Sequence, residues 1–155
     1  MSAARIFTPE NRLAKILQTL DGPTAAELVA DADARVAKLS GAIRGYVDEK
    51  VGVILAFADQ GEDVLFAECR TLSETALNVA EVAGAAGMEA IGEVARGITA
   101  MVDSLLTSGV WHSDALKLHL NALTLVNQTG GKMTGDNKVI LARLRGMREA
   151  VGVTE

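Results

Sequence analysis

The chain has 155 residues and a formal net charge of −5, and 49% of it is hydrophobic while only 3% is aromatic. That length fits one domain with a sizeable core, and the acidic balance excludes a nucleic-acid binder that works through a basic stripe. Abundant alanine, leucine and valine, with two prolines, favour an all-α protein over a sheet protein, whose strands draw on β-branched and aromatic residues. Cys69 is the only cysteine, so an internal disulfide and a four-cysteine zinc site are excluded. The start "MSAARIFTPENR" has no apolar signal core. The run "VGVILAFA" at 51–58 is too short to span a bilayer. The expectation is a cytoplasmic protein with no membrane partner.

In chain order, Thr8-Pro9-Glu10 opens a short helix running to about Leu20, and Asp21-Gly22-Pro23 closes it. Residues 1–23 are thus an N-terminal segment, and 24–155 form the main domain. Thr24 and Glu27 make a capping box. The long helix that follows reaches about Asp59, with Leu28, Ala32, Val36, Leu39, Ile43, Val47, Ile54 and Ala58 as its apolar positions. A third helix starts near Glu62, with Leu65, Cys69, Leu72, Ala76, Val79 and Ala83 inward. A fourth runs from Met88 to Thr107 on Ile91, Val94, Ile98, Met101 and Leu105. A fifth, capped by Ser113, buries Leu116, His119, Leu120, Leu123 and Val126. Asp136 opens the last, with Val139, Ile140, Leu144, Met147 and Val151 apolar. The short loops between them predict an antiparallel up-and-down helical bundle.

Motifs for chemistry are sparse. The glycine patterns that cradle phosphates or dinucleotides are absent, and no cofactor is implied. In "SGVWHSD" a histidine, a serine and an aspartate are neighbours in sequence, which is not the geometry of a triad; a loop and helix cap is the better reading. His119 has Leu116 three residues before it and Leu123 four after, so the Glu-x-x-His pairs of a bundle di-metal site are missing. A core histidine and no metal site is the expectation. Glu89 and Glu93, four apart, read as a solvated helix face rather than an acid–base pair.

The stretch "TALNVAEVAGAAG", residues 75–87, is bare: after Asn78 its one charged side chain is Glu81. It resembles the motif of histidine phosphotransfer (HPt) domains, whose histidine is followed by an aliphatic residue two on, lysine three on, glycine four on, a small residue six on and glycine ten on. Val79, Ala83 and Gly87 fill the aliphatic, small and final glycine positions. Leu77 stands at the histidine, Ala80 at the lysine and Glu81 at the first glycine. The flanks agree with that register. "ELVADADARVAKLSGAIRGYVDEKV" is similar to the long helix before the motif in HPt-like proteins of the alphaproteobacterial type; "ALKLHLNALTLV" and "GDNKVILARLRGMREAV" are similar to their last two helices. The resemblance covers roughly residues 24–152.

It implies an HPt-like four-helix core from which the chemistry has gone. Leucine has no nucleophilic atom, and Glu81 puts negative charge where a phosphoryl group would sit. The implied function is a non-enzymatic protein that binds a receiver domain or a histidine kinase without phosphoryl transfer. Its docking face is Glu74, Leu77, Asn78, Ala80, Glu81 and Gly84, with Glu74, Leu77, Glu81 and Gly84 sharing the outward side at steps of three and four. Gly87 serves a turn that needs positive φ. Two other readings stand beside it. One is a phosphotransferase using a displaced histidine, His112 or His119. The other is a structural homodimer joined through the long helix, where Gly52 and Ala56 permit close approach. A simpler account of the bare stretch is that small residues let two helices pack closely.

Overall fold

In the computed structural model, residues 24–153 are described. The helix expected over 9–20 lies outside them. Among the described residues every regular element is helical: α1 (Ala25–Leu55), α2 (Glu62–Ala67), α3 (Cys69–Val82), a 3₁₀ turn (Ala83–Ala86), α4 (Glu89–Ser108), α5 (Ser113–Gln128) and α6 (Gly135–Ala150). The chain divides into two compact units, one up to Arg35 and one from Val36 onward. Of the first, the described part is the N-terminal stretch of α1, opened by the expected capping box. Thr24 N–H donates to Glu27 Oε2 at 2.6 Å, and Glu27 N–H donates to Thr24 Oγ1 at 3.2 Å. The Thr24 N–H bond foremost, together with one that Thr24 Oγ1 donates to Glu27 Oε2 at 2.9 Å, holds the Glu27 carboxyl below its ordinary pKa.

The second unit is an all-α bundle built around α4, on which α3, α5 and α6 all pack. Cross-helix pairs fix its direction. Ala83 meets Gly92, Ala80 O accepts from Arg96, and Ser73 O accepts from Thr99; as the α4 number rises the α3 number falls, so the two helices are antiparallel. Gly131 O against Ala90 N, and His119 against Gly97, set α5 antiparallel to α4 in the same way. His119 with Arg148 and Thr129 with Asn137 do so for α6 against α5. The inward positions expected for α3, α4 and α5 are all buried.

Several boundaries differ from the expectation. The third helix is interrupted at Glu68 (φ −103, ψ 11), which splits α2 from α3. Glutamate is a good helix former, so the residues carry no sign of this break. Ser113 is the first residue of α5 and supplies no capping bond. The last helix opens at Gly135, capped by Thr134, whose hydroxyl accepts from Asn137 N–H. Val139 is exposed, and α6 packs instead through Leu144 with Ile140, Leu141 and Met147. The largest correction concerns α1. Leu28, Ala32, Val36 and Leu39 are exposed, and the buried residues of this helix are Val47, Val51 and Ile54.

Candidate functional site: the outward face of the third helix

α3 is positioned by its packed side. Leu72, Ser73, Ala76, Val79 and Ala80 are buried, and Ala83 continues that stripe into the 3₁₀ turn. The small residues have a specific use here. A Cβ added at Gly92 of α4 would sit 3.4 Å from Ala83 Cβ and 3.6 Å from Ala80 O, so alanine facing glycine sets a close approach of the two helices. The end of the element is held by two guanidinium groups: Arg96 Nη1 donates to Ala80 O at 3.3 Å, and Arg44 Nη2 donates to Ala86 O at 2.8 Å. Both place positive charge at the carbonyl end of a helix, where the backbone dipole favours it. Gly87 then turns the chain at φ 69, as expected, while Met88 N–H donates back to Ala83 O.

Five of the six expected docking residues lie on the opposite side. Glu74, Leu77, Asn78, Glu81 and Gly84 are exposed, Leu77 at 45% of its surface. Ala80 does not belong with them. It is 7% exposed and part of the core. On an α-helix residue 80 lies one turn after Ala76 and just under one turn before Ala83, so it shares their packed face. The face that remains is one leucine and an asparagine between two carboxylates, with open space where Gly84 lacks a side chain. Its groups can make an apolar contact and charged hydrogen bonds, and Leu77, at its centre, has no nucleophilic atom.

Both histidines lie elsewhere. His119 is fully buried on α5. Its Nδ1–H donates to Ala115 O at 2.9 Å, and its Nε2 accepts from Arg148 Nη1 at 3.2 Å. Burial, against the Ala115 bond and together with the Arg148 charge, lowers its pKa to about 4. Gly97 makes room for this pair: a Cβ there would fall 2.6 Å from both Arg148 Nη1 and His119 Cδ2. His112 is half-buried just before α5.

The remaining candidates are spoken for. Glu93 is ion-paired with Arg96 at 2.6 Å, so Glu89 and Glu93 are not two free carboxylates. Among the described residues no group of three or more histidine, cysteine, aspartate or glutamate side chains could hold a metal ion, and no helix is long and apolar enough to cross a membrane. A surface pocket of about 410 Å³ lined by Asp103, Ser104, Thr107 and Ser108 has two of its three hydroxyls committed to carbonyls one turn back, Thr107 to Asp103 O and Ser108 to Ser104 O.

Sequence reasoning missed Gly97, Arg148, Arg44 and Arg96. Gly97 inside a strongly periodic helix was the available signal, since an interior glycine costs about 1 kcal/mol against alanine and calls for a packing reason. The chain matches no known protein family, no characterised protein and no solved structure. None of these comparisons bears on the HPt resemblance, which rests on the sequence.

Proposed function

We propose that this chain is a cytoplasmic, HPt-like signalling protein that docks a receiver domain or a histidine kinase through the outward face of α3 and carries no phosphoryl group itself. The observation that supports this reading is the exposure of Leu77 at the motif's histidine position, flanked by exposed Glu74, Asn78, Glu81 and Gly84, on a helix whose other side is fully packed. Leu77 supplies the apolar centre of the contact, and the two carboxylates bias encounter toward a partner surface carrying positive charge. Bound there, the protein competes with a phosphorylatable domain for the same partner, or holds that partner in place.

The absence of transfer follows from chemistry at that face. A phosphoryl acceptor needs a nitrogen or oxygen lone pair at the contact centre, and leucine has none. A displaced acceptor at His119 would need both to reach solvent and to give up two hydrogen bonds. Incubating the protein with a labelled phosphorylated receiver and with an autophosphorylating kinase tests this directly. The expected outcome is no label on the protein. Label that disappears in His112→Ala or His119→Ala would overturn the reading in favour of phosphotransfer.

A further inference from the structure

A second exposed surface runs along α1. Val36, Leu39, Ile43, Tyr46, Lys50 and Val53 follow one another in steps of 3, 4, 3, 4 and 3. That is the 3.5-residue repeat of a coiled-coil seam, with Val36, Ile43 and Lys50 at the first position of successive heptads and Leu39, Tyr46 and Val53 at the second. The seam borders the stripe Val47, Val51 and Ile54 that packs into the bundle, and Ile43, half-buried, touches the core from the seam's edge. Val36, Leu39, Tyr46 and Val53 are exposed at 64, 61, 38 and 42%. Four large apolar side chains in register on one helix are a patch, not scattered surface residues.

We infer that this seam binds a second copy of the same chain, with the two α1 helices antiparallel and the two-fold axis passing beside Gly41. In that register Val36 of one copy lies opposite Tyr46 of the other, and Leu39 opposite Ile43, each pair occurring twice. The charged flank is then complementary: Glu49 of one copy faces Arg35 of the other, again twice. Arg35 now pairs with Asp31 at 2.7 Å and Glu49 with Lys50 at 3.2 Å. Both are exposed pairs, cheap to exchange. A parallel pairing fits less well. It sets Lys50 against Lys50, a like-charge layer that the antiparallel register avoids. A self-matching layer order with a self-matching charge pair points to an isologous contact between copies.

The test uses the full chain. Light scattering should give twice the 16.2 kDa chain mass, and Leu39→Asp, a change at an exposed site, should halve it with helical circular dichroism unchanged. Ala42 lies beside the axis, so Ala42→Cys should form a disulfide-linked dimer under mild oxidation. Ala37→Cys, also exposed but off the seam, should not. A parent chain that is monomeric at every concentration overturns the inference, and is also the result expected if residues 1–23 cover the seam instead. A dimer that survives Leu39→Asp, or equal cross-linking from Ala37→Cys and Ala42→Cys, overturns it as well.

Discussion

α1 and α4 are both long helices with apolar residues at steps of three and four, yet α4 buries ten of its 20 residues and α1 buries three of its 31. α4 is covered because three other helices pack on it. α1 carries two apolar stripes; the bundle buries Val47, Val51 and Ile54 and half-covers Ile43 and Leu55, and it leaves Val36, Leu39, Tyr46 and Val53 exposed. The difference shows what periodicity can and cannot say. It tells which residues of a helix share a face. It does not tell whether the same chain covers that face.

The sharpest contrast is in the core. Ile98→Ala on α4 should cost about 2–5 kcal/mol in denaturant unfolding, since it removes a fully buried side chain from a close-packed site. A loss below about 1 kcal/mol would mean that α4 is not the centre of the fold.

Acid should act on the same region next. His119 has a native pKa of about 4 against an ordinary 6.5, so between those values the unfolded chain binds more protons than the native one. Stability is therefore full above pH 6.5, falls as the pH drops toward 4, and levels off below. The loss is on the order of 3 kcal/mol. Urea titrations across that window check the sign, and the slope should flatten in His119→Gln.

The glycines give a smaller effect with opposite signs. Gly97→Ala drives a methyl group into Arg148 and His119 and should destabilise by about 1–3 kcal/mol. Gly41→Ala on α1 meets nothing within 4 Å, and should stabilise by about 0.5–1 kcal/mol through helix propensity. Thermal unfolding of the two variants side by side would show whether α1 is as open as its exposure says.

Much of the bundle was legible because burial and helical period coincide in α3, α4 and α5, where Leu72, Val79, Ile91, Ile98 and Leu123 all fall inside. His119 was legible for the same reason. Gly87 was read correctly because only a turn explains glycine at that point. The break at Glu68 was not legible, since a good helix former marks no boundary. Ala80 was misplaced because the motif assigns a role by position, while the packed face is set by its neighbours Ala76 and Ala83. The guanidinium caps from Arg44 and Arg96 join residues 42 and 16 apart in sequence, and no local pattern signals such a contact. The bareness of residues 75–87 has two sources: Ala76, Ala80, Ala83 and Ala86 are small because α3 and its turn pack closely on the core, whereas Leu77 and Gly84 lie outside it.

That outer face is where the functional account stands or falls, and calorimetric binding of Leu77→Arg tests it most directly. The measurement compares the parent, Leu77→Arg and Leu118→Arg against receiver and kinase domains from the same genome. Leu118 is a control, exposed at 52% on α5. All three proteins should be equally folded within about 0.5 kcal/mol, because both changes are on the surface. The account predicts that Leu77→Arg alone loses on the order of 2 kcal/mol of binding, about thirtyfold in affinity. Equal binding by all three, or a loss with Leu118→Arg in place of Leu77→Arg, would contradict it.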